Sequence, residues 1–242
     1  MNKTKKFGIS ASELKYIAIL AMFIDHTAYM FVPYGTLLYT CMRFIGRTTA
    51  PIMCFFISEG YHHTRNLKKY FQRMTVFAVI SHFAFAFCFR GNFFSAGKSS
   101  MITTLLLSLF AVDVVNNPKF NKAYKLPILL FTAYLAQYCD WGYEAVIYTL
   151  VFEIARDSRR KQVISYTGAI LIFKIIPFIS TIFSDISYIL INWLQLGVLL
   201  PIPLILLYNG EKGGGKYTKW VFYIFYPLHL LLLGYLNVKY IL

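Results

Sequence analysis

Residues 14–32 form an almost unbroken apolar run, and similar runs recur along the whole 242-residue chain. A bilayer offers no water to backbone N–H and C=O groups, so such a run can cross only as a helix that satisfies them internally. That constraint governs what the chain can fold into. The composition agrees, with 58% hydrophobic and 14% charged residues where a soluble domain has roughly 25% charged. The expected fold is all-α, a polytopic transmembrane helix bundle of about nine spans with a cytoplasmic N-terminus, built as one domain over residues 1–242.

Turn signals divide the runs. Residues 1–12 are polar and basic, and span one covers about 13–32. Pro33-Tyr34-Gly35 makes a turn, and span two covers roughly 36–60 and carries Arg43, Arg47 and Glu59. Span three is about 74–89 and contains His82. Spans four, five and six cover 101–115, 126–138 and 142–155; span seven covers 163–179, with Lys174 and Pro177. Span eight, 186–208, is interrupted near Gly197 and by Pro201 and Pro203. The last span, 220–236, contains Tyr226-Pro227 and His229, and Tyr226-Pro227 is expected to open its helix. Several runs are shorter than the ~20 residues a perpendicular crossing needs.

The formal charge of +14 is topological rather than a nucleic-acid signature, because Lys and Arg accumulate in cytoplasmic loops. Lys3/Lys5/Lys6, Arg65/Lys68/Lys69/Arg73, Lys119/Lys122/Lys125, Arg156/Arg159/Arg160/Lys161 and Lys212/Lys216/Lys219 fall in every second loop. The intervening loops hold Arg90, Lys98, Asp140 and Asp185, with Lys239 near the end. Nine spans produce that alternation. No cleavable signal is visible, so the first helix is expected to stay as an anchor. The four cysteines are scattered without metal-ligand spacing, and Cys54 and Cys88 read as packing residues. No repeated half of the transporter kind appears.

The polar residues inside the spans carry the functional signal. Asp25 and His26 sit halfway along span one, where burial costs several kcal/mol unless the groups are paired or hydrated. They point about 100° apart on a helix and need not pair with each other. His26 suits general acid–base work, with a carboxylate or arginine to tune it; the alternative is an interhelical hydrogen bond. Arg43 and Arg47, four apart, share one face, and Gly46 beside them permits close backbone approach. Arg43 has the option of snorkelling to the interface, whereas Arg47 is too deep for that. Such guanidinium groups suit a carboxylate, a phosphate or a developing oxyanion. Pro51 is expected to kink the helix further on.

Glu59 and His63, also four apart, can form a pair that holds the imidazole in one tautomer, with His62 nearby; further ligands at zinc-like spacing are missing, and no metal is expected. The stretch Arg65-Asn66-Leu67-Lys68-Lys69-Tyr70, with Arg73, reads as a positive-inside cluster, or more sharply as a cytoplasmic cradle for a polyphosphate such as that of coenzyme A. His82 and His229 are further intramembrane histidines, each readable as a packing residue; His229 is expected to project towards the bundle. Glu144 and Lys174 are expected to reach the interface.

The strings Leu14-Lys15-Tyr16-Ile17-Ala18 with Met22 and Asp25-His26, Arg43-Phe44-Ile45-Gly46-Arg47 with Ala50-Pro51-Ile52, and Phe56-Ile57-Ser58-Glu59-Gly60 together resemble the TraX family. Thr64-Arg65-Asn66-Leu67-Lys68-Lys69-Tyr70, Asp140-Trp141-Gly142, Leu207-Tyr208-Asn209-Gly210-Glu211 and Tyr223-Ile224-Phe225-Tyr226-Pro227-Leu228-His229 extend the resemblance over nearly the whole chain. Those membrane proteins are linked to N-terminal acetylation of conjugative pilin and resemble the multi-pass acyltransferases that draw acyl-CoA from the cytoplasm. The resemblance implies a bacterial inner-membrane acetyltransferase using acetyl-CoA, with His26, Arg43 and Arg47 in the active site; Asp25, beside His26, is expected to be catalytic with them by orienting or charging the imidazole. Arg65, Asn66, Lys68, Lys69 and Arg73 would hold the donor, with Glu59, His63, His82 and His229 as further candidates. Membrane lipid and a protein or envelope acceptor are the expected partners. Two other classes stay open: a proton-coupled transporter with Asp25, His26 and Arg47 as a relay, and a non-catalytic component of a conjugation or secretion system.

Overall fold

The structure is a computed structural model that describes residues 7–182, 193–215 and 218–240. Lys3, Lys5, Lys6, Asp185, Lys216 and residues 186–192 of the eighth apolar run lie outside the described residues. Among the described residues every extended regular element is a helix. Four helical stretches are long and apolar enough to cross a membrane: Ala11–Phe31, Leu67–Arg90, Arg159–Ser180 and Trp220–Lys239. Met101–Asn116 and Trp193–Leu206 are shorter apolar stretches.

Helix α1 (Ala11–Phe31) starts at a capping box, in which Ser10 accepts from the Glu13 N–H and the Glu13 carboxylate accepts from the Ser10 N–H. The second apolar run is not one helix. It breaks into α2 (Leu37–Gly46) and α3 (Thr49–His63), with Arg47 and Thr48 between them. Pro51 explains the break: in a continuous helix its ring would clash with the carbonyl of residue 47, four positions back. The kink therefore falls before the proline, and Pro51 sits in the first turn of α3, where a missing N–H costs nothing.

Asn66 caps α4 (Leu67–Arg90) by accepting from the Lys69 N–H, and Gly91 ends it at φ 71°. Helices α5 (Met101–Asn116), α6 (Lys122–Ala136) and α7 (Gly142–Ile154) follow. Helix α8 (Arg159–Ile170) continues through a π turn at Leu171–Ile175 into α9 (Ile176–Ile182). Pro177 accounts for the wide turn, since it cannot donate to the turn before it. A 3-10 helix (Trp193–Leu199) leads into α10 (Pro201–Leu206), and α11 (Thr218–Tyr240) is last. Tyr226-Pro227 does not open α11 as the sequence pattern suggests; the helix runs through Pro227, as neighbouring helices in a bundle permit.

The core lies between α1, α3, α4, α5, α7 and α8, around Phe55, Leu109, Tyr148, Phe152 and Tyr166. Outward faces are as apolar as the core: Leu126, Leu130 and Phe131 on α6, Val79 and Phe83 on α4, and Leu228 and Leu232 on α11 are all exposed. Patches of that extent call for lipid. At one end, the segment entering α1 is tied to the chain after α10, Ile9 N–H to the Leu207 carbonyl at 2.9 Å and Ala11 N–H to the Glu211 carbonyl at 2.8 Å. At the other, Asp140 N–H donates to the Ser99 carbonyl at 2.8 Å.

A buried carboxylate joins α3, α5 and α7. Glu153 accepts from Ser58 Oγ at 2.6 Å and Asn116 Nδ2 at 2.9 Å, and its Oε1 lies 2.7 Å from His62 Nε2. Removing the acceptor strands three polar groups, at a cost of about 1–3 kcal/mol. Glu153→Ala is expected to lower the apparent melting temperature in detergent by ~4–8 °C, and Glu153→Gln by less. Unchanged melting of Glu153→Ala would contradict this role.

Candidate functional site

Asp25 and His26 diverge as helical geometry requires. Asp25 turns towards α2, where Arg43 Nη1 donates to its Oδ2 at 2.5 Å. The approach depends on Gly46, because a Cβ there would overlap the Asp25 carboxylate. Arg43 therefore does not snorkel away; its guanidinium is enclosed by the rings of Tyr29 and Tyr39, at 5.5 and 6.0 Å.

His26 turns to α11. Its Nδ1 lies 2.8 Å from Nε2 of His229, and both imidazoles are buried. The tautomers follow from one further contact. His229 Nδ1 is 2.8 Å from the Phe225 carbonyl, which only accepts, so that nitrogen carries a hydrogen. With His229 neutral, its Nε2 is an acceptor, His26 Nδ1–H is the donor, and His26 Nε2 keeps its lone pair. The imidazole that positions His26 is thus His229. Asp25, the adjacent carboxylate, is on the wrong face. Phe89 packs edge-on against His26 at 5.5 Å and Phe225 stacks on His229 at 4.9 Å, which fixes both rings.

Arg47 caps the C-terminus of α2. Its guanidinium lies over Trp141 at 5.2 Å, and its buried Nε has no hydrogen-bond partner among the described residues. Trp141 holds a left-handed backbone, φ 67°, which disfavours a side chain with a Cβ. Three contacts at Asp140 fix that turn: Thr104 Oγ1 donates to its carbonyl, its N–H donates to Ser99, and its Oδ1 accepts from the Trp141 N–H. Enclosure raises the Asp140 carboxyl above its ordinary range, with Arg47 and Arg43 pulling the other way.

Two cavities meet at this cluster. A small one of about 20 Å³ is lined by Asp25, His26, Gly46, Asp140 and Trp141, among others. A larger one of about 260 Å³ runs from Lys15, His63, Thr64 and Arg73 inwards between α1, α3, α4, α5 and α11. Met22, Thr49, Met101 and Tyr226 line both. Tyr226 Oη accepts from the Met101 N–H at 3.1 Å, which leaves its own hydrogen available to a bound group.

The remaining expected residues separate into two sets. Arg73 and His63 line the large cavity. Arg65, Lys68 and Lys69 are exposed and do not line it, and Asn66 is occupied as the α4 cap. Glu59 and His63 do not pair through their side chains: His63 Nδ1 donates to the Glu59 backbone carbonyl at 2.7 Å, and the Glu59 carboxylate faces Arg159 at 3.9 Å. His82 binds Ser99 Oγ at 3.0 Å near the loop after α4, apart from both cavities. Glu144 and Lys174 form an ion pair with each other at 2.8 Å. Among the described residues, no three of His, Cys, Asp or Glu converge as a metal site.

Asp140, Tyr226 and Lys15 line the cavities, although the sequence reading places Asp140 in a turn and Tyr226 at a helix start and assigns Lys15 no role. Each nonetheless falls within the strings that carry the TraX resemblance, and that is the signal that marks them.

These features define a helical membrane protein with a buried histidine pair beside an aspartate–arginine pair. The TraX protein family model matches residues 10–237, and the chain belongs to that family. It is 33% identical over 237 residues, 95% of this chain and 96% of the relative, to a probable fimbrial assembly protein FimC, serogroup H1, of Dichelobacter nodosus. No solved structure matches the chain.

Because the Asp25–Arg43 pair is mostly buried, with side chains 16% and 15% exposed, breaking it from one side should cost about 3 kcal/mol, more than replacing both partners. Asp25→Asn and Arg43→Met are each expected to lower stability by that order, and the double variant by less than their sum. Additive losses in a thermal-unfolding cycle would contradict the pairing.

Proposed function

We propose that the protein is a membrane-embedded acyltransferase that moves an acetyl group from acetyl-CoA to an amine or hydroxyl acceptor. The observation that carries this reading is the tautomer chain Phe225–His229–His26, which makes Nε2 of His26, a residue lining the smaller cavity, a neutral base. A base positioned in this way contributes typically 10²–10⁴-fold. In the reaction, His26 Nε2 takes the proton of the acceptor N–H or O–H as that atom attacks the thioester carbonyl. The tetrahedral oxyanion collapses, the C–S bond breaks, and the thiolate leaves with the proton from His26. Tyr226 Oη–H donates to the oxyanion. The Arg47 charge, held over Trp141, adds positive potential in a site where low polarity strengthens it. Arg43 and Asp25 are positioning residues that keep α2 against α1. His229 is one as well, since it orients His26.

The membrane arrangement of this reading is nine crossings, with α2 and α3 together making the second, in the bacterial inner membrane with the N-terminus cytoplasmic. The basic loops support it, as does the pairing of loop 91–100 with the 137–141 turn at the end away from residues 7–12. The large cavity then opens to the cytoplasm, where acetyl-CoA is found. Family membership, and a relative described as a probable fimbrial assembly protein, support a pilus- or conjugation-related membrane role and make a pilin-like N-terminal amine a reasonable acceptor class.

His26→Ala in purified protein is expected to lower acetyl transfer by about 10²–10⁴-fold, and His229→Ala by less. His229→Ala should also displace the pH profile, because the lone pair on His26 is then no longer assigned to one nitrogen. Undiminished transfer by His26→Ala would overturn the mechanism. Accumulation of a solute driven by a pH gradient, without consumption of acetyl-CoA, would favour a transporter instead.

A further inference from the structure

We propose that Lys15 and Arg73, at the end of the large cavity away from His26, form the subsite that holds the donor's phosphate groups; the assignment rests on the acyl-CoA reading above. Both side chains line the cavity. Among the described residues neither forms an ion pair. Arg73 is held between the rings of Tyr70 and Tyr223 at 5.3 and 5.2 Å, and its buried Nε has no hydrogen-bond partner among the described residues. Lys15 Nζ lies 4.6 Å from the centroid of Phe56 and 5.6 Å from that of Phe222. Aromatic faces fix a cation in place without cancelling its charge. Two cations facing one largely apolar space call for an anion.

The rest of the cavity states which anion. Its other walls include Ala18, Ile19, Met53, Ile57 and Leu105, and it leads to Met22 and Tyr226 beside His26. Lys15 and His26 are eleven residues apart on α1, or ~16 Å at 1.5 Å per residue. A slender chain with a charged head at one end and a reacting group at the other fits that shape, and pantetheine with its phosphates is such a chain. Thr49, Thr64 and Tyr226 in the cavity wall offer hydrogen-bonding groups that the amides of a pantetheine arm can use and a lipid acyl chain cannot. The glycine-rich loop is tied to the same end, where its Lys212 carbonyl accepts from the Ser12 N–H at 3.1 Å and from Ser12 Oγ at 3.0 Å, and the charge of Lys212 acts on Lys15 from outside the cavity. That spread of charge matches a nucleotide carrying more than one phosphate better than a single anion. The exposed Arg65, Lys68 and Lys69 would then serve long-range attraction, with direct contact left to Lys15 and Arg73.

The test is equilibrium binding of coenzyme A, 4′-phosphopantetheine and pantetheine to the full chain in nanodiscs of neutral lipid. Coenzyme A should bind the wild type about ten- to a hundred-fold more tightly than pantetheine. Lys15→Met and Arg73→Met should each remove most of that preference while leaving pantetheine affinity unchanged, which also shows that the variants are folded. Should neither variant fold, the wild-type preference and its decline with salt decide the matter. Equal binding of coenzyme A and pantetheine by the wild type overturns the subsite and leaves the donor reading standing, as does a preference that survives in both variants. No binding of coenzyme A at all overturns the donor reading and the subsite together. If phosphatidylglycerol in the disc displaces coenzyme A and the two variants abolish that displacement, the occupant is a lipid phosphate and the proposal fails.

Discussion

A carboxylate and an imidazole at successive positions of a buried helix cannot face the same neighbour, and the protein is arranged around the two partners they need. Asp25 draws in α2 through Arg43, and His26 draws in α11 through His229. The remaining features of the site depend on these two contacts. Gly46 is needed because Asp25 fills the space a Cβ would take. Arg47, at the C-cap of α2, lies over Trp141. The carbonyl of Phe225 decides which nitrogen of His26 is basic.

Burying polar groups is costly, so each one must be satisfied by a specific partner, and a fully satisfied network specifies one packing. Glu153 does this at the end of the bundle near His62, and Asp140 at the opposite end. The groups left without a partner are informative for the same reason. Arg47 Nε and Arg73 Nε are among the buried side-chain atoms with no hydrogen-bond partner among the described residues; Arg73 lines the larger cavity, and Arg47 lies over Trp141, which lines the smaller one.

Much of the helical frame is legible in the sequence because apolar runs, caps and turns are local signals. Helix α4 nonetheless begins at Leu67 after its Asn66 cap, seven residues before the apolar run that starts near residue 74, because the cap and not hydropathy sets that end. The break at residues 47–48 is not legible in hydropathy, since residues 36–60 read as one span despite Arg43, Arg47 and Glu59; its cause, Pro51, acts four positions upstream. Site chemistry divides in the same way. Asp25, His26 and Arg43 stand out by being polar in the wrong place, and the close approach at Gly46 follows from its small size. The i,i+4 spacing of Glu59 and His63 puts them on one face but says nothing of what lies opposite, and the backbone carbonyl and Arg159 take their places. Lys15 and Glu153 resemble ordinary interface and boundary residues until the packing of distant helices encloses them. Partner choice across helices is a tertiary property, and the spacing of residues along one helix does not contain it.

The central claim concerns one nitrogen atom, and ¹⁵N NMR of histidine-labelled protein in nanodiscs reads it directly. The account predicts that His26 is neutral near pH 7, with a protonated Nδ1 hydrogen-bonded to an unprotonated Nε2 of His229 and with a lone pair on its own Nε2. Coupling across that hydrogen bond should vanish in His229→Ala. A His26 protonated on Nε2, or no coupling between the two rings, would contradict it.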